Sequence, residues 1–91
     1  MGFKKMRGIK LPYKRQGQIY FMLLNYDSQP AAVRKRIDGK IRGAAGGEAV
    51  YEAALRRLVL HDGETVKGLS LRYGVSESQL YRLRKKLYES W

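Results

Sequence analysis

The sequence predicts an all-α protein, a compact bundle of about five helices closed by a C-terminal helix-turn-helix. Three observations predict it. Apolar residues recur at spacings of three and four along most of the chain, the period of a helix face. Clusters of glycine, proline and small polar residues at 27–30, 43–47, 62–63 and 74 divide that pattern into short segments. No alternating segment offers a strand a partner. With 91 residues the chain makes one small domain that buries roughly 60–65% of its unfolded surface. It has no Cys and a single His, His61, which argues against disulfides and a conventional zinc site. Helix packing is left to supply the stability, and no cofactor is expected.

Residues 1–18 carry Lys4, Lys5, Arg7, Lys10, Lys14 and Arg15 with no acid, interrupted by Gly2, Gly8, Pro12 and Gly17. This reads as a flexible basic arm, with the helical domain occupying 19–91. Such an arm can follow phosphates or enter a minor groove, and a solvated, frayed terminus fits the segment equally well. The run 18–26, "QIYFMLLNY", is apolar enough for a buried strand or a buried helix. Met22, Leu23 and Leu24 favour the helix.

Ser28 or Gln29 is expected to cap a second helix over 30–42, with Pro30 in its first turn, where a missing amide proton costs little. Val33, Ile37 and Ile41 form its apolar seam. Arg34, Lys35, Arg36, Lys40 and Arg42 lie elsewhere on it, either as a second DNA-backbone surface or as an ordinary solvated face. The stretch 43–47, "GAAGG", lacks the Gly-Lys-Ser/Thr ending of a phosphate-binding loop and reads as a helix cap and hinge. A third helix over 48–61 would turn Val50, Tyr51, Ala54, Leu55, Leu58 and Val59 inward, and Asp62-Gly63 ends it.

The segment 65–87 fits a helix-turn-helix. Thr65 can cap a short helix, Val66 to Tyr73, whose inner residues are Val66, Leu69 and Tyr73. Ser70 is small where two helices must approach. Gly74 supplies the turn, where a positive φ is cheap only for glycine, and Val75 plugs the core behind it. Ser76 and Gln79 form an S-x-x-Q capping box, and Leu80, Leu83, Leu87 and Trp91 make one stripe of the second helix. Ser78, Gln79, Tyr81 and Arg82 then face outward in its N-terminal half, where this motif contacts base edges in the major groove. Arg82 is the candidate for a bidentate contact to guanine. Lys67, Arg72, Lys85 and Lys86, with Lys4, Lys5 and Arg7 of the arm, are candidates for phosphates. Arg84 lies nearer the apolar side and should snorkel, and Glu77 suits the helix N-terminus.

The stretch "VKGLSLRYGVSESQLYRLRKKLYESW" resembles the region 4 helix-turn-helix of sigma-like factors, and in particular small phage regulators of the ArpU and RinA type. The matching residues are Leu69, Ser70, Tyr73, Gly74, Val75, Ser76, Glu77, Leu80, Tyr81, Arg82 and Leu83, followed by a basic tail at 84–86. The block "IYFMLLNYDSQPAAVRKRID" resembles short proteins of Gram-positive phages and integrative elements. The resemblance covers about 26 residues well and implies sequence-specific binding of double-stranded DNA in transcription regulation, in a bacterial or phage-infected cytoplasm. The chain lacks the long N-terminal region of full sigma factors, so polymerase engagement and promoter melting do not carry over. RNA polymerase or another protein is left as a candidate second partner.

A formal net charge of +11, from 19 Lys and Arg against 8 Asp and Glu, agrees with a polyanionic partner. A membrane is disfavoured: the longest apolar run, 19–24, is far short of the ~20 residues of a spanning helix, and no signal peptide is recognisable. An enzyme is not expected. His61 beside Asp62 is the only acid–base pair in sequence and sits at a helix end, where the helix dipole accounts for it. Two other classes compete. An inhibitor or adaptor could use the scaffold to bind an acidic protein, with the run 19–24 as its interface, and an RNA-binding module would suit the charge and the seven tyrosines. A homodimer on two half-sites is a separate expectation, with the first helix or the Tyr88/Trp91 end as the contact.

Overall fold

The computed structural model describes residues 3–91. Among them, five α-helices run in order: α1 (Tyr13–Leu24), α2 (Ala31–Ala45), α3 (Ala49–Leu60), α4 (Val66–Tyr73) and α5 (Glu77–Glu89), with one 3₁₀ turn at Tyr26–Ser28 between α1 and α2. α3 packs against each of the other four helices, and α5 packs against α2, α3 and α4. The radius of gyration is 12.4 Å, against about 12 Å for a close-packed chain of this length. No helix among the described residues is long and apolar enough to cross a membrane.

The core follows the helical periodicity. Ile19 and Leu23 of α1, Ile37 and Ile41 of α2, Ala54, Leu55 and Val59 of α3, Leu69 of α4 and Leu80, Leu83 and Leu87 of α5 are buried together, with Val75 from the turn. The short α4–α5 pair is closed by local chemistry. Thr65 Oγ1 accepts from Gly68 N–H at 3.0 Å, and Ser76 Oγ accepts from Gln79 N–H at 3.1 Å, each satisfying an orphan amide of a first turn. Gly74 ends α4 at φ +67° and returns its N–H to the Ser70 carbonyl at 2.9 Å. Of the two bonds of a capping box, only the one accepted by Ser76 forms.

The N-terminal segment corrects the sequence reading. Of the stretch 1–18 expected as a flexible arm, the described residues 3–18 are not free: α1 already begins at Tyr13, behind Pro12 as N-cap, and residues 3–11 lie as a strap across the bundle. Phe3 and Ile9 are buried, and Met6 and Leu11 pack partly against the core. The Phe3 ring rests on Tyr13 and Tyr20, with centroids 5.6 and 4.9 Å away. It also passes Gly17 of α1, where a Cβ would stand in ordinary contact with Phe3 Cδ2, at 3.4 Å. Most side-chain hydrogen bonds to the strap's backbone come from one residue. Gln16, fully buried, accepts at Oε1 from Met6 N–H (2.8 Å) and donates from Nε2 to the carbonyls of Ile9 (3.2 Å) and Leu11 (3.0 Å). Lys10 N–H donates to Glu89 Oε2 of α5 at 2.8 Å.

Gln16→Leu is expected to destabilise the protein by about 2 kcal/mol, because it leaves three backbone groups of the strap without their partner. Tryptic cleavage after Arg7 should accelerate while the amides of α5 keep their hydrogen-exchange protection. Unchanged cleavage would mean that the apolar contacts alone hold the strap.

Further corrections concern the other helices. Pro30 is itself the N-cap of α2, and neither Ser28 nor Gln29 caps it with a side chain. α2 continues through Gly43 to Ala45, because Ala44 and Ala45 are buried, and it stops at Gly46 (φ +64°). Val50, placed inward by its spacing, is 50% exposed. The run 19–24 divides between core and surface: Ile19 and Leu23 are fully buried, whereas Phe21 is exposed. Tyr88 is buried in the core, so it has no surface to offer a dimer contact. Trp91 lies half-buried beneath Lys40, whose Nζ is 5.7 Å from its ring and donates to the Ser90 carbonyl at 2.8 Å.

One polar cluster ties α2, α3 and the 3₁₀ turn together. Asp38 accepts at Oδ1 from Tyr26 Oη (2.8 Å) and from Arg56 Nη1 (2.9 Å), and the Arg56 guanidinium also lies over the Tyr26 ring. Burial alone would raise the Asp38 carboxyl. The hydrogen bonds from Arg56 and Tyr26 and the charges of Arg56 and Arg42 outweigh it and hold the group below its ordinary value of 3.8. A carboxyl depressed by folding adds stability that is full above the unfolded value and is lost as the pH falls through the folded one. Asp38→Asn is therefore expected to cost about 1 kcal/mol near neutrality, a figure kept small because both partners leave about a third of their side chains in water. In urea unfolding at acid pH the difference should vanish, and a pH-independent cost would exclude the ion pair as its source.

Candidate nucleic-acid interface

Three leucines and a tyrosine decide which side of α5 is free. Leu80, Leu83, Leu87 and Tyr88 anchor it in the core. At ~100° per residue Tyr81, Lys85, Ser78, Arg82 and Lys86 then spread over the remaining arc of roughly 140°. Ser78, Arg82 and Lys86 are exposed, Tyr81 is 50% exposed, and Lys85 is half-buried. Gln79 lies at the margin of this arc, half-buried beside Ala44, Gly46 and Glu48 of the α2–α3 junction. Its backbone is engaged by Ser76, while its side chain is free among the described residues.

Two grooves flank the arc. On one side Gln79, Arg82 and Lys86 border the α2–α3 junction. On the other, a groove of about 440 Å³ runs between α5 and the strap, lined by Arg7, Ile9, Tyr81, Arg82, Arg84 and Lys85 and by no acidic side chain. Arg82 borders both grooves and, among the described residues, has no ion-pair partner. The acid in the same arc, Glu89, is engaged by the Lys10 amide. The exposed face of α5 thus carries Arg82, Lys85 and Lys86 in its middle and the acids Glu77 and Glu89 at its two ends, Glu77 standing at the N-terminus, where a negative charge favours the helix.

The phosphate candidates separate into two groups. Arg7 is brought to α5 by the docked strap and joins Arg82 and Lys85 around the larger groove. Lys67 and Arg72 are exposed on α4 and line neither groove. Lys4 and Lys5 are exposed next to Phe3, on the α1 side, and line neither groove.

Sequence reasoning underrated Arg84. It lines the larger groove and also a smaller one beneath Met6, so it passes under the strap. Its guanidinium lies 5.3 Å from the Tyr81 ring centre, and its Nε is buried without a hydrogen-bond partner. Burial lowers its proton affinity, opposed in part by the neighbouring Tyr88 and Tyr81. Burial likewise pushes the Tyr88 phenol well above its ordinary range, although Arg84 pulls it down. Gln16 was also overlooked. Its signal was its place three and seven residues before Ile19 and Leu23, on the buried stripe of α1. Among the described residues no cluster of three or more His, Asp or Glu side chains could hold a metal ion. The chain matches no protein-family model, no curated protein and no solved structure.

Proposed function

We propose that the chain is a sequence-specific regulator that binds double-stranded DNA, with α5 entering the major groove. The observation that carries this reading is the exposed arc of α5. Ser78, Tyr81 and Arg82 stand in its N-terminal half, with Gln79 at its margin, on a helix fixed from behind by three buried leucines. Arg82 has no internal partner to give up before it can pair with a guanine. In this reading Lys85, Lys86, Arg7, Lys67 and Arg72 meet phosphates, which fixes register. Regulation of transcription follows from occupancy of such a site.

The direct test is selection of bound duplexes from a randomised pool at near-physiological salt. An enriched motif supports readout by α5, and a two-fold motif would add a dimer and its half-site spacing. A folded protein that enriches nothing overturns the proposal and leaves RNA or an acidic protein as the partner. Arg82→Ala is expected to weaken the selected site by about 10- to 100-fold, the worth of one bidentate base contact, and to relax the preference at one base pair. Equal weakening on all sequences would make Arg82 a phosphate contact instead.

A further inference from the structure

The groove between the strap and α5 has the composition of a small-molecule site. Its volume of about 440 Å³ falls within the roughly 300–1,000 Å³ of ligand pockets. Four of its lining side chains, Arg7, Arg82, Arg84 and Lys85, are cationic, and none is acidic. Arg84 brings a positive charge that is partly desolvated and an Nε–H that no protein acceptor uses. A burdened cation of this kind gains from an anion beside it. The fifth feature is aromatic. Arg84 covers one side of the Tyr81 ring at 5.3 Å, and the residue is 50% exposed, which leaves a flat surface open to the groove. An aromatic platform next to clustered guanidinium and ammonium groups matches a base with a phosphate attached.

We propose that this groove binds a single nucleotide, with the base stacked on Tyr81 and the phosphates among Arg7, Arg82, Arg84 and Lys85. The nucleotide is either free or the unpaired nucleotide of a strand. Because Tyr81 and Arg82 also belong to the face offered to DNA, a nucleotide seated here excludes the duplex from α5. That exclusion rests on the proposed function, whereas the binding itself does not. The strap is part of the site, since Arg7 reaches it from the docked residues 6–11, which Gln16 helps to hold in place.

Calorimetric titration of the whole chain with adenosine triphosphate, pyrophosphate and adenosine tests the proposal. Adenosine triphosphate should bind about tenfold more tightly than pyrophosphate, and adenosine should bind least. Tyr81→Ala should reduce the triphosphate to the level of pyrophosphate and leave pyrophosphate unchanged. Arg7→Ala, an exposed position, should weaken both by about tenfold, and the Arg84 Nε–H resonance of the unaltered protein should shift on binding. Equal affinities for adenosine triphosphate and pyrophosphate, or indifference to Arg7→Ala, would overturn the site and leave only diffuse attraction to a +11 protein. Displacement by a short single strand at lower concentration assigns the nucleotide to a strand, and failure to displace assigns it to the free pool. Nucleotide binding by a protein that selects no duplex would strike the proposed function and leave this site standing.

Discussion

Duplex affinity is expected to fall by about 500-fold between 50 and 200 mM monovalent salt, following a log–log slope of about −4.5. The slope comes from five cations, Arg7, Lys67, Arg72, Lys85 and Lys86, each displacing about 0.9 counterion from B-form DNA. None of the five is in an ion pair among the described residues, so none has to break an internal bridge first. Lys86→Ala should lower the slope by about one and weaken all sequences alike, because a phosphate contact carries no sequence information. Binding measured at four salt concentrations decides it. A slope near −2 would mean that α5 touches the duplex without the α4 and strap cations, and the docking would have to be redrawn.

Leu80→Ala is expected to cost about 3 kcal/mol, from the lost transfer of buried methylene groups and the cavity left behind. Leu80 is fully buried in the first full turn of α5, within the core cluster shared by all five helices. A domain of this length holds roughly 5–13 kcal/mol in total, so the loss should lower the melting temperature by about 15 °C. Leu71→Ala supplies the contrast. Leu71 is 79% exposed on α4, and its truncation should stay within about 0.5 kcal/mol. Two leucines nine residues apart thus separate burial from hydrophobicity. A Leu80 variant that melts within a few degrees of the parent would mean that α5 is held by something other than its leucine stripe.

What could be read in the chain and what could not divide along contact range. Thr65, Gly74 and Ser76 act through neighbours at most four residues away, and the leucines of α5 repeat at spacings of three and four, so the helix-turn-helix was legible with its caps and turn. The strap was not. Its four cations, Lys4, Lys5, Arg7 and Lys10, masked an equal number of apolar residues, Phe3, Met6, Ile9 and Leu11, whose partners lie in the helices. Its tie to α5, Lys10 to Glu89, spans 79 residues and has no local signature. α2 shows the same limit at smaller scale. Gly43 looked like a stop, but burial of Ala44 and Ala45 offsets the helix cost of one glycine, about 1 kcal/mol. In the candidate site, Ser78, Tyr81 and Arg82 follow from helical geometry alone. Arg7 and Arg84 belong to it only because the strap crosses there.

The bond from the Lys10 amide to Glu89 also sets an order of events in time. A ribosome makes the strap before α5, so residues 3–11 emerge before the surface that receives them. Until then Phe3 and Ile9 have only α1 and its neighbours for shelter, and the cationic groove has one wall. The strap therefore settles onto a helix made after it. Among the described residues the Lys10–Glu89 bond has the longest sequence separation of any hydrogen bond, which makes its closing the natural candidate for the slowest folding phase.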